Sequence, residues 1–151
     1  MITIEEFKKK QSNKTRLVGL DLGSKRIGVS ICDDKQSIAT PFKTINKTNK
    51  TDLINDLNTI IEENNITAII IGYPLNMDGT PGRSAQSVND IATNISESIN
   101  LPVILWDERL STVGAFNLSK QLDVNITKKV KTIDQNAATF ILQGALDYLN
   151  N

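Results

Sequence analysis

The sequence has no histidine and a single cysteine, Cys32. Zinc and iron–sulfur sites depend on these two residue types, so the composition nearly excludes a metal site with soft ligands. Cys32 itself lies in an apolar stretch, which is typical of a small buried residue in a reducing compartment. Any metal site in this chain should therefore be built from oxygen ligands.

The chain also lacks an excess of either charge, with 17 basic and 17 acidic residues. Net charge therefore does not predict a nucleic-acid partner, and any basic surface must be local. No segment approaches the ~20 apolar residues of a membrane helix, and the polar residues 1–14 do not resemble a signal peptide. We expect a cytoplasmic protein with no membrane partner.

The first part of the chain predicts an antiparallel meander. Arg16 to Leu22 is a nearly continuous apolar run, typical of a central strand. Arg26 to Cys32 alternates apolar with small or polar residues, and the short turn at 23–25 predicts a hairpin between the two strands. Ser37 to Ile45 is a third strand, which Pro41 places at an edge of the sheet.

The rest of the chain alternates helices and strands, which favours parallel strands joined by helical crossovers. We therefore expect an α/β fold, with one mixed five-stranded sheet flanked by helices over residues 16–151. Residues 1–15 form an N-terminal extension, in which a capping box at Thr3 predicts a short helix. The predicted helices are Thr51–Asn64, Ala85–Ile99, Ser111–Leu122 and Ile133–Leu149; the strands are Ile66–Ile71 and Pro102–Trp106; a glycine-rich loop spans Gly72–Gly82.

Three carboxylates lie where this architecture predicts a functional site, beyond the carboxyl ends of the parallel strands. Asp21 interrupts the first strand, Glu108 closes the last strand, and Asp134 opens the last helix. Burying such groups is costly unless a positive charge compensates them. Together they predict an oxygen-ligand site for Mg²⁺ or Mn²⁺, as used in phosphoryl chemistry.

Each carboxylate also has a simpler explanation. Asp21 could form a turn before Gly23, and Glu108 could be a solvated strand end. Asp134 could belong to a capping box over Thr132–Gln135, where the helix dipole favours an acidic residue. Asp107 should point to the opposite side of its strand from Glu108 and is a weaker candidate.

Four motifs in order give the chain a resemblance to a known family. Gly19–Val29, Gly72–Thr80, Asp107–Thr112 and Ile133–Gln143 resemble the motifs of the YqgF family, of RuvX type. The match spans nearly the whole chain; it departs from the family at Asn136, where a smaller residue is expected, and in the longer N-terminal extension.

The resemblance implies a three-layer ribonuclease H-like fold and a metal-dependent phosphodiesterase. Asp21, Glu108 and Asp134 would hold one or two Mg²⁺ (or Mn²⁺) ions, which would activate a water molecule and stabilise the leaving oxygen. The family is described as a Holliday-junction resolvase and as the nuclease that matures the 5′ end of 16S ribosomal RNA. The implied partners are precursor rRNA, with or without the pre-ribosomal particle, or branched DNA. Monomer and homodimer both remain open.

Several basic residues near the motifs are candidates for substrate binding, although each could be an ordinary surface cation. Arg109 could bind a phosphate or orient Glu108 through a bidentate pair. The others would contact the nucleic-acid backbone: Lys25, Arg26, Arg83, Lys128 and Lys129.

Two rival functions remain. Asp21–Ser24 also resembles a phosphate motif of the actin and sugar-kinase ATPases, but those need two domains and this chain has room for one. A non-catalytic nucleic-acid binding module is the other rival. Three carboxylates argue against it, since negative charge facing phosphates weakens binding.

Overall fold

The computed structural model describes the backbone of residues 1–110 and 126–151; of the side chains at 126–135 nothing is said. The first two strands have the predicted bounds, and the other elements as far as the last strand lie close to theirs. The predicted helix at Ser111–Leu122 lies outside the described residues. The elements are α1 (Ile4–Lys10), β1 (Arg16–Leu22), β2 (Arg26–Cys32), β3 (Ala39–Asn46), α2 (Lys50–Asn64), β4 (Ile66–Tyr73), α3 (Arg83–Ser98), β5 (Val103–Asp107) and α4 (Ile126–Leu149), with a 3₁₀ turn at Glu108–Leu110.

The strands form one mixed sheet in the order β3-β2-β1-β4-β5. The pairs β1–β2 and β2–β3 are antiparallel, whereas β4 lies parallel to β1 and to β5. The carboxyl ends of β1, β4 and β5 therefore meet at the same edge of the sheet. The prediction of an antiparallel meander followed by parallel strands is confirmed, and so is the edge position of the strand that contains Pro41.

Helices cover both faces of the sheet, and we name each face by its helices. On the α2/α3 face, large aliphatic side chains such as Val18, Leu20 and Leu57 form one buried cluster. On the α4 face, α1 and α4 pack in a second cluster that includes Leu17 and Leu142. Because side chains alternate along a strand, odd-numbered positions of β1 point to the α4 face.

The N-terminal segment packs into this fold. Thr3 caps α1 by accepting a hydrogen bond from the Glu6 backbone N–H at 3.1 Å, as the capping box predicts. Ile4 and Phe7 are buried in the cluster on the α4 face. Ile2 forms a parallel bridge to Ile104 of β5. No helix of the described ranges combines the length and the apolar character needed to cross a membrane.

The last helix begins earlier than predicted, at Ile126 rather than Ile133. Ile126, Val130 and Ile133 have helical spacing, but the lysines between them were interpreted as a solvated charge run. Asp134 consequently lies inside the helix rather than in its first turn, so the capping box over Thr132–Gln135 is wrong. The favourable interaction with the helix N-terminus decays within the first turn and does not explain Asp134.

Candidate active site

Asp21 lies near the carboxyl end of β1, at the edge where the parallel strands end. Its strand partner is Gly28 of β2. Leu17 belongs to the cluster on the α4 face, and the alternation of β1 places Gly19 and Asp21 on that same face. The side chain of Asp21 is partly buried. It is therefore an acidic group inside a paired strand, and the alternative of a turn-forming Asp is wrong.

Glu108 follows β5 and packs over Gly72, at the end of the neighbouring strand β4. A Cβ added at Gly72 would lie 2.7 Å from Glu108 Oε1 and 2.5 Å from Ile141 Cδ1 of α4. Glycine thus leaves room for the carboxyl group between β4 and α4. Burial raises the pKa of Glu108 to about 7, and the negative charges of Asp21 and Asp107 add to the effect.

The repulsion between Asp21 and Glu108 also argues against the alternative that Glu108 is only a solvated strand end. A solvated strand end would keep an ordinary pKa near 4.5. Instead the group is partly buried and feels the charge of a carboxylate from a different strand. The two acidic groups predicted to meet are therefore close enough to interact.

Asp107 and Arg109 form a separate pair beside this site. Arg109 Nη2 lies 2.7 Å from Asp107 Oδ2, and its Nε donates to both carboxylate oxygens. The guanidinium lowers the pKa of Asp107, the opposite of the shift at Glu108. The suggestion that Arg109 orients Glu108 through a bidentate pair is therefore wrong, because the guanidinium of Arg109 pairs with the carboxylate of Asp107 instead.

Arg109 also reaches the glycine-rich loop after β4. Its Nη1 donates to the Met77 carbonyl at 3.3 Å, and a Cβ added at Gly79 would lie 3.2 Å from the same nitrogen. Gly79 has φ +89°, a conformation that favours glycine. This contact was not predictable from local sequence patterns, because it joins two polar segments that are 32 residues apart.

Ser30 of β2 holds α4 against the sheet. Its Oγ donates to the Ala138 carbonyl at 2.7 Å and is fully buried. Beside it, a Cβ added at Gly19 would lie 2.6 Å from Ser30 Oγ and 2.7 Å from Leu142 Cβ. These small residues let the helix approach β1 closely. Sequence reasoning missed Ser30, although a polar residue at an α4-facing position of an otherwise apolar strand was a signal.

The remaining predicted site residues are only partly described. Lys25 is exposed in the β1–β2 turn, Arg26 is partly buried at the start of β2, and Arg83 is exposed at the start of α3. The side chains of Asp134, Lys128 and Lys129 lie outside the described residues. Among the side chains that are described, no group of three or more acidic or cysteine residues is arranged to hold a metal ion.

The described half of the site suits a hard cation. Its donors are carboxylate oxygens at two strand ends, and burial of Glu108 together with repulsion from Asp21 and Asp107 raises the pKa of Glu108. A divalent ion beside Asp21 and Glu108 would offset that repulsion and favour the ionised form of both groups. Cys32, by contrast, is buried, and burial raises the pKa of its thiol, which disfavours the reactive thiolate form.

Sequence comparisons show which family the chain resembles. The family model RuvX, described as "Holliday junction resolvase", matches residues 15–148. A protein of Pelagibacter ubique (strain HTCC1062) named "Putative pre-16S rRNA nuclease" is 76% identical over 151 residues, 100% of both chains. A protein of Cereibacter sphaeroides (strain ATCC 17025 / ATH 2.4.3) with the same name is 43% identical over 148 residues, 98% of this chain and 92% of its own.

Solved structures agree in fold. The structure described as "T. thermophilus RuvC in complex with Holliday junction substrate" has a TM-score of 0.54 at 10% identity, covering 89% of this chain and 94% of its own. The yeast mitochondrial Holliday junction resolvase Ydc2 has a TM-score of 0.55 at 16% identity, covering 97% of this chain and 84% of its own. The expectation of a ribonuclease H-like fold is confirmed.

Proposed function

Because this chain belongs to the RuvX family, we propose that it is a metal-dependent nuclease that hydrolyses phosphodiester bonds at the 5′ end of pre-16S ribosomal RNA. One observation carries the proposal. Glu108 is partly buried near Asp21, which comes from a strand that is not its neighbour in sequence; burial, reinforced by the negative charge of Asp21, raises the pKa of Glu108 to about 7. Folding maintains this repulsion, which is typical of a functional site.

We assign Asp21, Glu108 and Asp134 as the ligands of Mg²⁺ or Mn²⁺. Asp134 is four residues before Ala138, which Ser30 binds, and residues four apart lie on one face of a helix. When bound, the ion would supply Lewis acidity at the phosphoryl group and lower the pKa of a water molecule. The carboxylates would hold the ion, and the missing side chain at Gly72 leaves room for the Glu108 carboxyl group between β4 and α4.

The basic residues are proposed to position the substrate. Lys25 and Arg26 follow Asp21 across a tight turn, and Arg83 begins α3 directly after the glycine-rich loop. Lys128 and Lys129 precede Asp134 on the same helix. Phosphate contacts of this kind fix the register of a nucleic acid without reading its sequence. We place the enzyme in the cytoplasm, acting on precursor rRNA alone or within a pre-ribosomal particle.

A four-way DNA junction is the second candidate substrate. The description of the family model and the fold shared with RuvC favour it. Resolving a junction requires paired cuts and therefore favours a homodimer, whereas trimming an rRNA end does not. The substrate and the oligomeric state are thus linked.

The test compares two labelled substrates, a precursor 5′ leader RNA and a synthetic four-way DNA junction, in Mg²⁺, Mn²⁺ or EDTA. Asp21→Asn keeps the shape of the side chain but removes its charge. We expect the rate of metal-dependent RNA cleavage to fall by at least 10²–10³-fold, on the order of the loss when one electrostatic catalytic group is removed. Asp56→Asn, an exposed change on α2, is the matched control and should cleave normally.

Each alternative gives a different result. Cutting of the junction alone would favour the resolvase. Cutting that survives in EDTA or in Asp21→Asn would contradict the carboxylate assignment. Binding of either substrate without cleavage, also in the presence of pre-ribosomal particles, would favour the non-catalytic binding module.

A further inference from the structure

The glycine-rich loop presents one apolar side chain to solvent beside the proposed active site. Met77 is 92% exposed, the highest value among the large exposed hydrophobic residues described. Single exposed hydrophobic residues are common on protein surfaces and need no explanation alone. Two features distinguish Met77: its loop is held by several hydrogen bonds, and the loop lies beside the proposed active site.

The loop is a closed, hydrogen-bonded turn. The Gly79 N–H donates to the Asn76 carbonyl at 2.8 Å, and the Asn76 N–H donates to the Thr80 carbonyl at 2.9 Å. Leu75 and Pro81 form a bridge at its base. Arg109 fixes the tip by binding the Met77 carbonyl. Met77 is thus displayed on a backbone that is already ordered, which lowers the entropic cost of binding through it.

The position of the loop associates Met77 with the carboxylates. The loop follows β4 directly after Gly72, which cradles Glu108, and Arg109 belongs to the 3₁₀ turn that begins at Glu108. Through Arg109, the tip that carries Met77 contacts the segment that carries Glu108.

The charges at the tip favour bases over phosphates as the contact. Asp78 stands next to Met77, and its Oδ1 accepts hydrogen bonds from the backbone and hydroxyl of Thr80. These bonds and the nearby Arg109 lower the pKa of Asp78, so it stays ionised. An ionised carboxylate repels phosphate, and Arg109 is already committed to Asp107. The faces of stacked bases are the apolar surface that a nucleic acid offers.

We propose that Met77 is a wedge that inserts between two bases of the substrate, next to the bond that is cut. The proposal rests on the nuclease function above and deepens it. Apolar side chains, methionine among them, insert between base steps in architectural DNA-binding proteins. The unbranched thioether of methionine adapts to an irregular gap between bases. Unstacking would present the phosphodiester bond to the carboxylates.

The experiment uses the full-length Asp21→Asn protein, so that binding is measured without cleavage. The probes are the 5′ leader RNA and the four-way DNA junction, each with 2-aminopurine placed in turn on either side of the expected cut. Fluorescence of 2-aminopurine rises when the base is unstacked. We expect a rise at one position, and its loss when Met77→Ala or Met77→Gln is added. Affinity should fall about tenfold, comparable to the loss of one buried side chain, with no change in salt dependence because no phosphate contact is removed.

Ile38→Ala is the matched control. Ile38 is also exposed, at 62%, but it lies in the β2–β3 turn at the opposite edge of the sheet. Parent-like affinity and fluorescence in both Met77 variants would overturn the wedge and favour a protein contact at the tip. Equal losses in the Met77 and Ile38 variants would also overturn it. Absence of any binding by the Asp21→Asn protein would overturn the proposed function together with this inference.

Discussion

The two faces of the sheet are packed by different means. On the α2/α3 face, large aliphatic side chains fill the space between sheet and helices. On the α4 face, near the site, the residues are small: Gly19, Ser30 and Gly72 face α4, and the added Cβ atoms at the two glycines would clash with it or with Glu108. The first face stabilises the fold through apolar burial. The second gives up part of that burial so that a helix and two carboxylates can approach the sheet.

The comparison predicts that Glu108, on the α4 face, makes stability depend on pH near neutrality. The pKa of Glu108 is about 7 in the folded protein and near 4.5 when unfolded. Folding therefore favours the protonated form: the penalty is absent below pH 4.5, grows as pH rises towards 7, and is complete above 7. Glu108→Gln should thus stabilise the protein in EDTA by about 1–2 kcal/mol above pH 7, less than the full pKa shift implies because solvent screens this partly exposed carboxyl group, and by little at pH 4. Urea unfolding across pH 4–8 measures this difference.

Asp107→Asn is the control, and it should change stability at neutral pH in the opposite direction. The pKa of Asp107 is lowered by Arg109, so its contribution is present above its unfolded pKa and is lost as pH falls through the folded value. Removing the charge should destabilise the protein at neutral pH and have little effect in acid. If both variants changed stability in the same direction at pH 8, the assigned environments of the two groups would be wrong.

Adjacent residues of β1 offer a smaller but sharper comparison. Gly19→Ala would push α4 away, and Val18→Ala would leave a cavity on the α2/α3 face. Both should cost about 2 kcal/mol of unfolding free energy. Only Gly19→Ala should slow single-turnover cleavage, because α4 carries Asp134. Equal cleavage rates at a temperature where both variants are folded would show that the helix position does not matter to the chemistry.

Ser30→Ala should give the smallest effect. It removes one buried hydrogen bond to Ala138 while the sheet and helix remain intact. The expected loss is about 1 kcal/mol of stability. The Mg²⁺ concentration needed for half-maximal cleavage should rise, since the bond fixes α4 one turn from Asp134. A purely structural role would lower stability and leave that concentration unchanged.

Local patterns were enough to predict much of the sheet. The bounds of β1 and β2 follow from apolar runs and a short turn, and they are confirmed at Arg16–Leu22 and Arg26–Cys32. The nearly continuous apolar run of β1 also indicated that Asp21 interrupts a buried strand. These features depend on neighbours in sequence, which the sequence shows directly.

Features that depend on distant segments were not predictable in the same way. The partner of Arg109 could be Asp107 or Glu108, and only the folded geometry of the 3₁₀ turn decides between them. The packing of Glu108 over Gly72 could be predicted only from the order of the strands in the sheet, because β4 and β5 are separated by α3 in the chain. The start of α4 was misplaced because the lysines at 128, 129 and 131 obscure the apolar spacing in the sequence.

The bridge from Ile2 to β5 bears on how the molecule behaves in a crowded solution. β5 is an edge strand, and an uncovered edge is a template on which a second chain can add a strand. The Ile2 N–H donates to the Val103 carbonyl, so the chain's own first residues occupy part of that edge. At the other edge, Pro41 interrupts the hydrogen-bonding pattern of β3. Both edges of the sheet thus carry features that discourage a second chain from adding a strand to the folded molecule.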